Sequence, residues 1–333
     1  MKFKNSITDV PGIEVGHAQN DEALTGCTVI LCRKGATAGV DVRGGAPGTR
    51  ETDLLNPINL VGKVHAVMLA GGSAFGLDAA SGVMRYLEEH KIGFNTGVAR
   101  VPIVPSAILY DLGVGRSDIR PDAEMGYQAC LNVSDQSVME GNVGVGIGAS
   151  VGKLLGQRQA MKSGVGSASI SIGRGVIVGA LAAVNSFGDI VDPNIGEIIA
   201  GVRSRKVGPL KIGKLGYFAD TLQLMKSLLG RAVLNRANHS NTALGFVAVN
   251  ASFTKTEMTK VAQMAHDGFA RSIRPAHTML DGDTVFAVAT GGKKADVSTV
   301  GAFAAEALAQ AVVRAVRMAA PSDGLPGLYV AAK

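Results

Sequence analysis

Short runs of aliphatic and β-branched residues recur through the first two thirds of the chain, separated by glycine-rich turns. CTVILC (27–32), VHAVMLA (64–70), ASISI (168–172) and VIVGALAAV (176–184) read as strands buried on at least one face. Phe75, Leu77, Ala80, Val83, Met84 and Leu87 fall at i, i+3, i+4 spacing, which predicts a helix, with Gly93 as its expected stop. In the last third, LGFVAV (244–249) and TVFAVAT (284–290) are strand-like. Thr254 followed by Glu257 is a capping-box pattern, and the helix it opens puts Met258, Val261, Ala265 and Phe269 on one stripe. Ser298 is the expected cap of a long final helix, rich in Ala and Val, that runs to about Ala319. Strands and helices in this order imply layered α/β structure in which helices cover sheet faces. There is no internal repeat and no low-complexity linker.

Composition narrows the class. The 333 residues are 47% apolar and 18% charged, a globular balance with enough chain for a large core. Aromatics are 5% and tryptophan is absent, so packing falls to Ala, Val, Ile and Leu; 44 glycines indicate many tight turns and close backbone approaches. The net charge of +6 is dispersed. Its densest cluster, Arg203, Arg205, Lys206, Lys211 and Lys214, is interleaved with Gly and Pro and lacks the stacking aromatics of a single-strand binder. A solvated loop is expected there, with attraction of carboxylate-bearing substrates as the alternative. Cys27, Cys32 and Cys130 fit no zinc spacing or disulfide framework, which suits a reducing compartment. The amino terminus, MKFKNSITDVPG, has no apolar stretch of a secretory signal, and no uninterrupted apolar run approaches the ~20 residues of a span. The expectation is a cytoplasmic protein with neither nucleic-acid nor membrane partners.

Three segments carry chemistry. In His239-Ser240-Asn241-Thr242-Ala243, a polar turn runs straight into a strand. A threonine inside a chain has no strong base beside its hydroxyl. If the peptide ahead of it is cut, its α-amine, of reference pKa ~7.7–8.0, becomes free to act as that base. A plain turn entering a strand is the alternative. In His277-Thr278-Met279-Leu280-Asp281-Gly282-Asp283, alternate residues of an extended chain point the same way, so Asp281 and Asp283 can face one site. Such a pair can hold an ammonium, position a hydroxyl or share a proton, although a D-G-D turn alone is also common. No further ligands follow at metal spacing, so neither metal nor cofactor is expected. In GNVGVGIGAS (141–150), glycines such as Gly144 and Gly146 let a substrate lie close and free N–H groups for an oxyanion. Lys153 follows, but leucine comes after it, so the phosphate-loop spacing fails; GGSAFG (71–76) likewise misses the dinucleotide fingerprint. By residue type alone Lys153 belongs on the surface.

Taken together the sequence resembles the DmpA-type aminopeptidases, the P1 or S58 family. The resemblance takes in DVPGIEVGHA (9–18), VDVRGGAPGTRETDLL (40–55), LAGGSAFGLDAASGV (69–83), SAILYDL (106–112), GNVGVGIGAS (141–150), the Asn241–Thr242 junction and HTMLDGDTVFAVAT (277–290). It implies an αββα sandwich of the DmpA/ornithine-acetyltransferase type, one hydrolase domain built from two fragments, 1–241 and 242–333. The implied nucleophile is Thr242, freed by a cut after Asn241. Threonine rather than serine there leans toward the 6-aminohexanoate-oligomer hydrolases. The family's lysine falls on Lys153, its asparagine on Asn185, its tyrosine on Tyr110 and the aspartate pair on Asp281 and Asp283. By that resemblance Asn185 donates to the oxyanion and Tyr110 to the tetrahedral intermediate, Lys153 activates the hydroxyl or binds charge, and the aspartates orient an amine. A small peptide or amide is the implied substrate, and a homo-oligomer, a tetramer of processed heterodimers, the implied assembly. An acyltransferase of the ornithine-acetyltransferase type and a non-catalytic assembly protein that retains the fold are the competing readings. The stretch from Asp189 to Leu215 is not aligned with the family pattern and is expected to shape the substrate pocket.

Overall fold

One long strand organises the molecule. The computed structural model describes residues 3–207, 210–212, 217–234 and 241–330. Its principal strands are β1 (Glu14–Asn20), β2 (Thr25–Val42), β3 (Thr49–Arg50), β4 (Val64–Ala70), β5 (Ser106–Ile108), β6 (Val165–Ser171), β7 (Ile177–Asn185), β8 (Thr242–Ala251) and β9 (Thr284–Lys293). They are hydrogen-bonded in the order β6-β7-β8-β9-β2-β4-β5-β3, with β1 also on β2. The first part of β2 pairs with β1 and β4, whereas residues 37–42 pair antiparallel with β9. The β2–β4 register breaks between Leu31 and Ala36, and there the strand passes from one sheet to the other. The sequence shows only CTVILC of this strand because its second half is partly exposed and less apolar.

Alternating side chains then sort the interior into three apolar layers. Along β8, Ala243, Val247 and Val249 face one layer, while Leu244, Phe246 and Ala248 face the next. The first layer lies under α3 (Lys255–Ser272) and α4 (Val297–Arg317). In the second, Leu244, Phe246 and Phe286 of one sheet meet Ile30, Val67 and Leu69 of the other. In the third, Val29, Leu31 and Met68 pack against Ala80, Val83 and Leu87 of α1 (Ala79–Glu89) and Ala129 of α2 (Ala123–Leu131). The succession is helix, sheet, sheet, helix. The αββα sandwich is what the strands build.

Local signals hold in most places. The Thr254–Glu257 capping box opens α3, with the Thr254 N–H on Glu257 Oε2 at 2.7 Å and the Glu257 N–H on Thr254 Oγ1 at 3.3 Å. Two end signals shift. Asp296, not Ser298, caps α4 by accepting from the Thr299 N–H at 2.7 Å, since a carboxylate placed three residues earlier reaches that donor. After α1, Lys91 takes the left-handed conformation at φ 57° that Gly93 was expected to supply. By length and composition α4 is apolar enough to cross a membrane, but 67% of its most apolar stretch is buried inside the molecule, as in a core helix. It is tied down by Glu140, whose carboxylate accepts from Arg314 Nε at 2.8 Å and from the Ser167 N–H at 2.7 Å. Cys27, Cys32 and Cys130 are free thiols in the core. Of the basic cluster, Arg203 donates to the Arg158 carbonyl, Arg205 and Lys206 lie in a short hairpin strand (Arg205–Val207) and Lys211 in its partner (Leu210–Ile212). Lys214 lies outside the described residues, as do His239 and Ser240.

Candidate active site

Strand register brings the distant candidates together. β7 ends at Asn185 and β8 begins at Thr242, and the antiparallel pairing sets these two residues opposite each other. Asn241 bridges to Asp281, just before β9, which runs parallel to β8. Asn185, Asn241, Thr242, Asp281 and Asp283 therefore converge at one end of the sheet, each no more than 4% exposed. Thr242 Oγ1 donates to the Asn241 carbonyl at 2.5 Å, and the Gly282 N–H donates to the same oxygen at 3.0 Å.

The two aspartates serve different neighbours. Asp283 accepts from the Ala243 N–H at 2.7 Å, and from the main-chain N–H and Nδ1 of His277 at 2.9 and 2.8 Å. A carboxylate so placed pins the first peptide after Thr242. Asp281 accepts from Thr278 Oγ1 at 2.5 Å, from the Thr278 N–H at 3.1 Å and from the Phe187 N–H at 3.3 Å. Burial first, and then the Asp283 charge, push the Asp281 carboxyl up to about 6. Asp283 thus holds the start of β8 through Ala243, while Asp281 reaches the Phe187 and Thr278 main chain and Gly282 between them faces Thr242.

Lys153 is the largest departure from its residue type. The Gly152 and Lys153 N–H groups donate to the Gly188 and Phe187 carbonyls, which folds the lysine back over the end of β7. Its ammonium donates to the Asn185 carbonyl at 2.9 Å and to Asn185 Oδ1 at 2.7 Å. Loss of hydration lowers its pKa to about 7, against the opposing pull of Asp281 and Asp111. Asn185 Oδ1 also accepts from the Ser150 N–H at 3.1 Å, and Nδ2 donates to the Tyr110 carbonyl at 2.7 Å. Tyr110 thus enters this network through its main chain.

Behind these groups lies a second buried pair that sequence reasoning passed over. Asp111 accepts from the Gly72 N–H at 2.6 Å and from Thr25 Oγ1 at 2.8 Å, and burial raises its pKa. Fully buried Lys162 donates to the Ile147 and Ala149 carbonyls, with its pKa pushed down to about 8 by desolvation. His277 and Gly282 were also overlooked. The sole local hint was their place in the HTMLDGD run.

Gly144 and Gly146 do something other than bind an oxyanion in this structure. They form a buried 3₁₀ turn in which the Gly144 N–H donates to Gln19 Oε1 at 2.7 Å and the Gly146 N–H to the Val143 carbonyl at 2.9 Å. A Cβ on Gly144 would lie 2.5 Å from both His17 Nδ1 and Thr28 Oγ1. Close packing against β1 and β2 is what these glycines permit. Among the described residues no group of three or more His, Cys, Asp or Glu is placed to hold a metal ion.

Comparison with known proteins gives this geometry its context. The model of peptidase family S58 matches residues 5–330. An uncharacterized aminopeptidase of Mycobacterium tuberculosis is 43% identical, over 97% of this chain and 96% of its own. A 6-aminohexanoate-oligomer endohydrolase of a Kocuria species is 31% identical, over 93% of this chain and 85% of its own. Among solved structures, a Burkholderia beta-aminopeptidase superposes with a TM-score of 0.67 at 23% identity, covering 98% of this chain and 91% of that one. The L-aminopeptidase D-Ala-esterase/amidase of Ochrobactrum anthropi, described as a variant of the Ntn hydrolase fold, gives 0.67 at 19% identity, covering 95% and 86%. With a matched family model spanning nearly its whole length and a shared fold, the chain belongs to peptidase family S58, a family of amide hydrolases.

Proposed function

We propose that the chain cuts itself between Asn241 and Thr242 into fragments 1–241 and 242–333, and that Thr242 then hydrolyses small peptides or amino-acid amides. The observation that carries this reading is the buried Thr242 hydroxyl seated on the carbonyl of its own preceding residue, at the strand end where Asn185, Lys153 and the two aspartates gather. At 4% and 3% exposure, Asn241 and Thr242 are out of reach of a separate protease, which favours an intramolecular cut.

In the first step Thr242 Oγ bonds to the Asn241 carbonyl carbon and its proton passes to a base. The α-amine is still tied up in the peptide, so Lys153, with its pKa near 7, is the group suited to that work. The C–N bond then breaks, the nitrogen takes a proton, and an ester joins Asn241 to Thr242. Water hydrolyses the ester, leaving the Asn241 carboxylate, a free hydroxyl and a free α-amine on Thr242. In turnover that amine acts as base, the same oxygen attacks a substrate amide, and water releases the acyl group. Asp283 keeps the start of β8 in place throughout. The names of the mycobacterial relatives support an aminopeptidase.

Intact mass spectrometry tests the proposal. The wild-type protein is expected as two fragments, the second beginning at Thr242, and Thr242→Ala as one continuous chain. A cut Thr242→Ala chain would overturn it.

A further inference from the structure

In a chain that cuts itself, the scissile peptide occupies the place of a bound substrate. The groups around the Asn241 carbonyl oxygen therefore mark where an oxyanion forms. Among the described residues its donors are the Thr242 hydroxyl and the Gly282 N–H. The hydroxyl surrenders its proton as it attacks, so it cannot stabilise the charge it creates. The Gly282 N–H remains.

That N–H is held from both sides. The Ala46 N–H donates to the Asp281 carbonyl at 2.9 Å, and the Arg43 and Gly44 N–H groups donate to the Asp283 carbonyl at 3.0 and 3.2 Å. The Asp281–Gly282 peptide that carries the N–H, and the Asp283–Thr284 peptide beyond it, are thus anchored to the loop after β2, and the N–H keeps its aim without reorganising, the condition under which an oxyanion donor is most effective. The absent side chain is equally specific to the site. A Cβ on Gly282 would stand 2.8 Å from Thr242 Oγ1 and 2.7 Å from the Ala46 carbonyl oxygen, so glycine is what lets this loop lie against Thr242 with its N–H on the Asn241 carbonyl.

We propose that the main-chain N–H of Gly282 is an oxyanion donor, first for the cut at Asn241–Thr242 and afterwards for the substrate carbonyl that takes the vacated place. This rests on the self-cutting reading above. As the Oγ–C bond forms, the π electrons of the carbonyl move onto oxygen, where Gly282 meets them. They return when the C–N bond breaks and its electrons leave with the protonated nitrogen.

Replacing residue 282 by glycolic acid through nonsense suppression turns that N–H into an ester oxygen and adds no atoms in the crowded space. The same change at Gly196, whose N–H donates to Asp192 in a turn remote from the site, is the control. The 282 ester is expected to cut about 100-fold or more slowly than wild type. Its matured fraction is expected to lose a similar factor in kcat, with KM within about threefold, whereas the 196 ester behaves as wild type. If the 282 ester cuts within threefold of wild type, the donor assignment falls and self-cutting stands. If the wild-type chain stays whole, both fall. Should the 282 ester not fold, the uncut Thr242→Ala chain is read by NMR. A scalar coupling across the hydrogen bond between Gly282 N and the Asn241 carbonyl carbon is expected there, and its absence overturns the assignment.

Discussion

If Lys153 is the base for the first cut, the rate of cutting must follow its titration. An ordinary lysine, of pKa ~10.4, is a free amine in only about one molecule in 2,500 at pH 7. With its pKa lowered to about 7 by burial, about half of Lys153 is unprotonated at that pH, a gain of about 10³ in usable base. The unprotonated form is the active one, so cutting accelerates as pH rises. Below pH 7 the rate constant is expected to climb about tenfold per pH unit, and above about 8 to level off. Protonation of Asp281, whose carboxyl is raised to about 6, removes a charge that favours the Lys153 ammonium and so flattens the limb below that pH. The Asp281 charge favours the Lys153 ammonium, so Asp281→Asn is expected to move the midpoint to lower pH. Lys153→Met keeps much of the side-chain volume and removes the base. It is expected to slow cutting by about 100-fold or more and to erase the midpoint near 7. The assay is a pH jump on protein captured uncut at low pH, with the 242–333 fragment followed by intact mass over time. A Lys153→Met chain that cuts within threefold of wild type, or keeps the same midpoint, would refute the assignment.

Other consequences follow from particular contacts. Gly282→Ala places a Cβ 2.8 Å from Thr242 Oγ1, and a hydroxyl displaced by several tenths of an ångström is expected to cut and turn over about 10- to 100-fold more slowly, with stability lowered by about 1–3 kcal/mol; wild-type rates by mass spectrometry and amide hydrolysis would contradict the crowding. Asp283→Ala removes the acceptor of both the Ala243 and His277 N–H groups and is expected to leave most of the chain uncut at wild-type maturation times, which a denaturing gel would show. Glu140→Ala strands the Ser167 N–H and frees Arg314. An expected loss of about 2–3 kcal/mol and about 3–4 °C in melting temperature, with cutting still complete, is checked by calorimetry and intact mass.

Local chemistry was enough to fix much of this protein from its sequence. The runs at 64–70, 176–184, 244–249 and 284–290 read as strands because they are apolar on both faces, which fill two different core layers. The Thr254–Glu257 box needs only its own four residues. The ordered motifs around Tyr110, Lys153, Asn185, Thr242 and the aspartate pair carried the family. Tertiary pairing decided the rest. Lys153 has the composition of a surface residue and becomes a buried amine of pKa about 7 because the Gly152–Gly188 contact folds it onto the end of β7. Gly144 and Gly146 look like an anion cradle until β1 and β2 take up their space and Gln19 takes the Gly144 N–H. Gly282 meets the Asn241 carbonyl only once β8 and β9 lie side by side in parallel register. A sequence records which groups are available. Their hydration, their partners and the direction of an N–H are set by strands that come together from distant parts of the chain.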